Sequence, residues 1–298
     1  MKSRTRRAAG LPQNGKDYAI RHLTEMVVHG SQFRHPIEAK KVLVVADLQV
    51  PFQDDAALRL VYRFVERWQP DTLIVNGDLA DCYSFSQFDK DPDKVLRMDL
   101  ETEGVDKFFL CLSDIRHRVW LGGNHEDRWR KTIWRAASMG YNGQNAMLTA
   151  LANRAAGSMK PDDVFKYIFN TDDHGVEYWP YGHYVSLAQD NLVVTHGFRL
   201  SQHSAYTAKL IFERLGRSAV VGHSHRQGEF RVTNLRGTHG VWETGCLCRL
   251  DPDYVQFPNW QQGFVAVTIE GEQFYVEQIP ILPGPSIQWR GERIRGEA

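Results

Sequence analysis

Long apolar runs are missing from this 298-residue chain. With no stretch of about 18 uninterrupted apolar residues, no membrane-spanning helix is expected. An excess of one charge is missing too. Lys and Arg number 36, and Asp and Glu number 36. That balance leaves no global field to draw nucleic acid or an anionic membrane. Cysteine is scarce: Cys82, Cys111, Cys246 and Cys248 are too few in a chain this long to form a disulfide framework. Cys246 and Cys248 are the one close pair. No second pair at finger spacing accompanies them, which argues against a structural zinc site. The N-terminus is basic (Lys2, Arg4, Arg6, Arg7), but no apolar core follows, so it does not read as a secretory signal. Together these absences predict a cytoplasmic protein. The composition, 42% hydrophobic and 24% charged, is that of a globular chain and excludes a disordered one.

What is present begins at Lys41. Residues 1–40 read as a tail with a short helix around Tyr18 to Met26. Lys41 to Ala46 is a valine-rich run bounded by charge, as a buried strand is. From Asp54 to Gln69, apolar side chains fall at Ala57, Val61, Phe64, Val65 and Trp68, which is helical spacing. Asp54 is placed to cap that helix, and Pro70 to end it. Thr72 to Val75 reads as a second strand, a helix of roughly 20 residues runs from Asp93, and Arg118 to Leu121 reads as a third strand. Alternation of this kind marks an α/β sheet with parallel pairs. Residues 128–190 read as a largely helical insertion that roofs the site. Strands are expected at Tyr184 to Leu187, Leu192 to Thr195 and Ser218 to Val221, with a helix at Ala205 to Leu215. A β-rich stretch follows from Gly228, and the tail 283–298 reads as loose and polar. The main domain is thus expected over 41–282.

Five polar segments follow or interrupt these strands. They are Asp47-Leu48-Gln49, Gly77-Asp78-Leu79-Ala80-Asp81, Gly123-Asn124-His125-Glu126, His196-Gly197 and Gly222-His223-Ser224-His225. Strand carboxyl ends form the ligand crevice of α/β sheets, so these tips are expected to converge although about 180 residues separate the first from the last. Asp, Asn and His together suit divalent transition metals. The glycines let backbone turn sharply beside a metal or a phosphate.

In order and in spacing the five segments resemble the calcineurin-like metallophosphoesterase superfamily, whose pattern is D-x-H, G-D-x-x-D, G-N-H-E, H and G-H-x-H. The wording of several segments, such as Asn259-Trp260-Gln261-Gln262-Gly263-Phe264, is similar to phage- and prophage-encoded members. The resemblance implies a four-layer α/β/β/α sandwich of two mixed sheets. It also implies two divalent metals, manganese first, with iron, zinc, magnesium or nickel as alternatives. Asp47, Gln49 and His225 would hold the first metal, Asp78 would bridge, and Asn124, His196 and His223 would hold the second. His125 would be the general acid, with Asp81 orienting it. Glu126 reads as a structural hydrogen-bond acceptor. For Arg128, a contact to substrate phosphate and a paired helix arginine remain equal readings.

Two positions depart from the family pattern. Gln49 stands where histidine is usual, and its neutral carbonyl oxygen favours manganese or magnesium over zinc. It leans towards diester or pyrophosphate substrates. Cys82 stands where the protein Ser/Thr phosphatases carry a phosphate-binding arginine, which counts against phosphoprotein substrates. The expected activity is hydrolysis of a phosphodiester in a phosphorylated small molecule or nucleic acid. The alternatives are a phosphomonoesterase, a DNA-end nuclease and a scaffold that kept only the fold. A dimer is left open.

Overall fold

The computed structural model describes residues 33–86, 98–139, 161–203, 205–252 and 257–296. By internal contacts the chain divides into residues 1–35 and 36–298, and the sandwich belongs to the second. The helix expected near Tyr18 lies outside the described residues. A short strand, β1 (Arg34–Pro36), precedes the sandwich.

The first sheet is built around β2 (Lys41–Val45), β3 (Thr72–Asn76), β4 (His117–Leu121) and β5 (Val176–Trp179), all parallel. Next to β2, antiparallel, run β11 (Gly263–Glu270) and then β12 (Gln273–Pro280). Within residues 36–298 the second sheet takes the order β6 (Tyr184–Leu187), β7 (Leu192–Thr195), β8 (Ser218–Val221), β10 (Gly237–Thr244) and β9 (Gln227–Asn234). Its three central strands are parallel to their neighbours at β7–β8 and β8–β10, while both outer pairs are antiparallel. Both sheets are therefore mixed.

Alternation along the strands explains the layering. Val42 and Val44 face one way and pack with Ile74, Val119, Val194, Val220, Val265 and Val267 between the sheets. Leu43 and Val45 face the other way, into a core shared with helix α1 (Asp55–Trp68) and helix α2 (Met98–Cys111). On the outer face of the second sheet, α5 (Tyr206–Leu215) closes a smaller core through Ala208 and Ile211. The result is the expected α/β/β/α stack.

Local chemistry sets the ends of α1. Asp54 accepts hydrogen bonds from the amides of Ala56 and Ala57, as a capping carboxylate does. At the other end Gln69 turns left-handed and its amide reaches Val65 carbonyl, so the helix stops before Pro70 acts. For α2, the first part of the expected helix, residues 93–97, lies outside the described residues.

Two expectations of organisation change. The stretch 128–190, read as a roof, begins with helix α3 (Glu126–Met139) and includes helix α4 (Pro161–Ile168). It also contains β5 and β6, one in each sheet, and Phe165 and Phe169 of α4 and its end pack on Trp120 of β4. Those parts belong to the sandwich, because their apolar side chains complete its core. The tail 283–298 is not loose over its described part. Ser286–Trp289 (β13) pairs antiparallel with Glu292–Arg295 (β14). This hairpin buries Ile287 and Ile294 against α1, sets Trp289 edge-on to Phe64 and pairs Arg67 with Glu292 at 2.9 Å. Three apolar residues in a polar stretch suffice, because Ile287 and Trp289 alternate onto one face and Ile294 pairs across from Ile287.

Among the described residues, no helix is long and apolar enough to cross a membrane.

Candidate metal centre

All five polar segments sit just beyond strand ends. Asp47 follows β2, Asp78 follows β3, Asn124 follows β4, His196 follows β7, and His223 follows β8. Because the two sheets stack with these ends on one side, the tips meet. Asp47, Asp78, His196 and His225 are almost wholly buried.

The meeting has a definite form. Ligand-type atoms of Asp78, His196 and His223 lie within 4.8 Å of one another, and so do those of Asp47, Asp78 and His225. Asp78 belongs to both groups. The Asp78 carboxylate oxygen Oδ2 lies 3.3 Å from His196 Nε2 and 3.6 Å from His125 Nε2, while its Oδ1 accepts the His125 amide at 2.9 Å. His225 Nε2 lies 3.3 Å from Asp47 Oδ1. Asn124 joins the first group, with its Oδ1 3.1 Å from His196 Nε2. Gln49 joins the second, with its amide nitrogen 3.2 Å from His225 Nε2.

The backbone is bent to achieve this. Asp47, Gln49, Asp78, His223 and His225 all have φ between 52° and 69°, the left-handed region. Each such non-glycine residue stores on the order of 1–3 kcal/mol, which the surrounding structure must offset. Part of the offset is visible. The buried carboxylate of Glu126 accepts the amides of Asp78 (3.0 Å), Ala80 (3.1 Å) and Gly123 (2.6 Å), tying the β3 and β4 tips together. Asp47 Oδ2 accepts the His223 amide at 2.9 Å, tying β2 to β8. At Gly123 the chain passes so close that a Cβ would fall 2.1 Å from Asp78 Oδ1. Only glycine fits there.

Carboxylates and imidazoles shift one another here. Burial alone would raise Asp78, yet the imidazoles of His125 and His196 hold its carboxyl well below the usual range. Burial alone would lower His196, but Asp78 outweighs it and lifts the ring to about 9. His223 goes the other way, since burial and then the charge of His196 bring it down to about 4. A neutral His223 keeps a lone pair free to ligate at neutral pH. Glu126 is pushed up to about 7 by burial and then by Asp78.

The donor set fits a metal pair. Two carboxylates, three imidazoles and two side-chain amides converge, and Asp47 Oδ1, wholly buried, makes no well-formed hydrogen bond beyond its 3.3 Å approach to His225 Nε2. A buried carboxylate oxygen so weakly satisfied is costly, and a cation between Asp47, Asp78 and His225 would satisfy it. His196 is already turned for the task. Its Nδ1 donates to Asn76 carbonyl at 2.7 Å, which leaves Nε2 towards Asp78.

Next to this set stand His125 and Asp81. His125 Nδ1 lies 3.4 Å from Asp81 Oδ2. Burial alone would lower His125, but Asp78 and Asp81 outweigh it and raise it. Arg128, open between two readings in the sequence, is paired. Its guanidinium donates to Asp81 Oδ1 and to Asp81 carbonyl, both at 2.8 Å, and its other arm lies 2.9 Å from His125 Nε2. Sequence spacing does not reveal two further neighbours. Cys248 Sγ lies 3.8 Å from His225 Nδ1, and the Trp260 ring centroid stands 4.3 Å from that of His225. Both come from segments that carry no metal-type pattern around them.

Relatives of known sequence extend over most of the chain. It is 29% identical over 265 residues to the Gene 54 protein of Mycobacterium phage D29, covering 83% of this chain and 95% of that protein. It is 28% identical over 263 residues to the Gene 54 protein of Mycobacterium phage L5, with the same coverage. Among solved structures, it is similar to Vps29 of Entamoeba histolytica complexed with zinc. That match has a TM-score of 0.44 and 12% identity, covering 86% of this chain and 99% of that one. Residues 40–255, which hold every one of the converging tips, match the calcineurin-like phosphoesterase family, and the chain belongs to that family.

Proposed function

We propose that the protein hydrolyses a phosphodiester of nucleotide or nucleic-acid type, using two divalent cations, manganese by preference. One observation carries the reading: a single buried carboxylate, Asp78, is shared by two ligand groups, with His125 beside it. Cations held there supply Lewis acidity to the phosphate and to the attacking water. Asp47, His225 and Gln49 would hold one, and Asn124, His196 and His223 the other, with Asp78 common to both.

The remaining work falls to the chain's own groups. His125 holds the proton that a leaving alkoxide needs, and its place beside Asp81 favours the charged ring that can give it up. Arg128, anchored by Asp81, reaches past His125 Nε2. An incoming phosphate oxygen would take over that arm, which frees Nε2 to face the leaving group. Asp81 thereby positions both the acid and an anion donor. Arg128 stands in for the arginine that Cys82 displaces, although it comes from α3. Gln49, neutral where histidine would be usual, supports manganese over zinc.

The test compares bis-p-nitrophenyl phosphate with p-nitrophenyl phosphate under manganese. Faster hydrolysis of the diester is expected. A clear monoester preference would reject the diester reading, and absence of manganese-dependent turnover on either would reject the enzyme.

A further inference from the structure

Behind His225, on the side away from Asp47, lie two thiols. Cys246 and Cys248 are both buried, on the stretch that follows β10. Their sulfurs and a His225 ring nitrogen lie within 4.8 Å of one another, and the Cys248 Sγ to His225 Nδ1 distance is 3.8 Å. Two sulfurs and one imidazole nitrogen are a soft ligand set, unlike the carboxylate, imidazole and amide set on the other side of the same ring. The spacing is near what a tetrahedral ion needs, since metal–sulfur bonds of about 2.3 Å put ligand atoms roughly 3.5–4 Å apart. The stretch is fixed at its ends. Leu247 and Cys248 amides both donate to Asp47 carbonyl, and Cys246 amide donates to Gln261 carbonyl.

We propose that Cys246, Cys248 and His225 Nδ1 form a separate site for one soft divalent cation, such as zinc or cadmium, set back to back with the manganese-type centre. The absence of a second cysteine pair does not count against it, because the third ligand comes from the β8 end and not from a finger. Binding forms two metal–sulfur bonds. The two thiol protons leave to solvent, and the cation takes the sulfur electron pairs. A neutral imidazole has one free lone pair. When Nδ1 takes the soft cation, the ring proton moves to Nε2, and His225 no longer serves Asp47 and Asp78. Filling this site therefore withdraws a ligand from the first half of the catalytic centre. That consequence, though not the site itself, rests on the phosphoesterase reading.

The experiment is a cadmium titration of the full chain, freed of metal by chelator and followed by the ultraviolet sulfur-to-cadmium charge-transfer band. The expected result is a band that saturates at one equivalent, survives Cys111→Ser, and is lost in Cys246→Ser and in Cys248→Ser. Circular dichroism checks that both variants are folded. If one fails to fold, cadmium-edge X-ray absorption of the unmodified chain decides through its count of two sulfurs and one nitrogen. No band, a band that persists in both cysteine variants, or a sulfur count other than two would overturn the proposal. The band needs no turnover. Its presence in a protein without manganese-dependent hydrolysis would refute the enzyme reading alone, and its absence in an active enzyme would refute this site alone.

Discussion

The two halves of the centre share Asp78 and differ in almost everything behind it. In the half with Asn124, His196 and His223, the second nitrogen of His196 is held by a backbone carbonyl, Asn76, at 2.7 Å. That partner cannot change when a side chain mutates. In the half with Asp47, Gln49 and His225, the second nitrogen of His225 faces a thiol, and the first faces Asp47 Oδ1 at 3.3 Å. The histidine of the first half is thus oriented by main chain and that of the second by a replaceable side chain. Outer partners of this kind tune metal affinity by 10–100-fold. If the two halves hold cations as proposed, the contrast places metal exchange and metal choice in the Asp47 half.

That contrast can be broken most severely at the shared residue. Asp78→Asn should empty both halves, with manganese-dependent hydrolysis falling by about 10³-fold or more. Metal analysis should show loss of both ions together. A variant that kept one ion would show that the halves do not depend on a common carboxylate. Next in size, His125→Ala should leave both ions in place and slow turnover by about 10²–10⁴-fold. The loss should be greater on an alkyl ester than on a nitrophenyl ester, whose leaving group needs no proton. Equal losses on the two esters would remove His125 from the role of acid.

A milder change sharpens the contrast from one side. Gln49→His should tighten zinc in the Asp47 half by roughly tenfold and leave the other ion's affinity unchanged, read by competition with a chelating dye. Gly123→Ala probes the frame that carries both halves. Its Cβ would press on Asp78, so activity should collapse while thermal unfolding reports a stability loss of about 2–3 kcal/mol. The smallest effect is expected at the N-terminal cap of α1. Asp54→Ala removes the cap of α1 and should lower stability by about 1 kcal/mol. The ratio of the two ions should not move.

Much of this was legible in the residues alone. Strand tips that end in Asp, Asn, His and Gly advertise a crevice, and the cap at Asp54 followed from its place before an amphipathic run. Glu126 could be read as an acceptor because a carboxylate in that loop more often holds backbone than reacts, and it takes three amides. What escaped depends on distance along the chain. Arg128 meets Asp81 across 47 residues, and Cys248 meets His225 across 23, with no motif linking either pair. The C-terminal hairpin escaped for a different reason. Ile287, Trp289 and Ile294 are its inward apolar residues, too few for a window-based pattern to separate from a solvated tail. Strand β6 was legible at Tyr184 to Leu187, but β5, four residues at Val176–Trp179 after a helical stretch, was read as part of the insertion.

The left-handed backbone at Asp47, Gln49, Asp78, His223 and His225 restricts what these positions can become. Branched side chains are shut out there by the geometry of the main chain before any question of chemistry arises. Selection acting on this protein can therefore sample only a short menu at these five positions, in which Asp, Asn, His and Gly predominate. Among them Gln49→His keeps to that menu, and residues one layer out, such as Cys248 beside His225, are not bound by it.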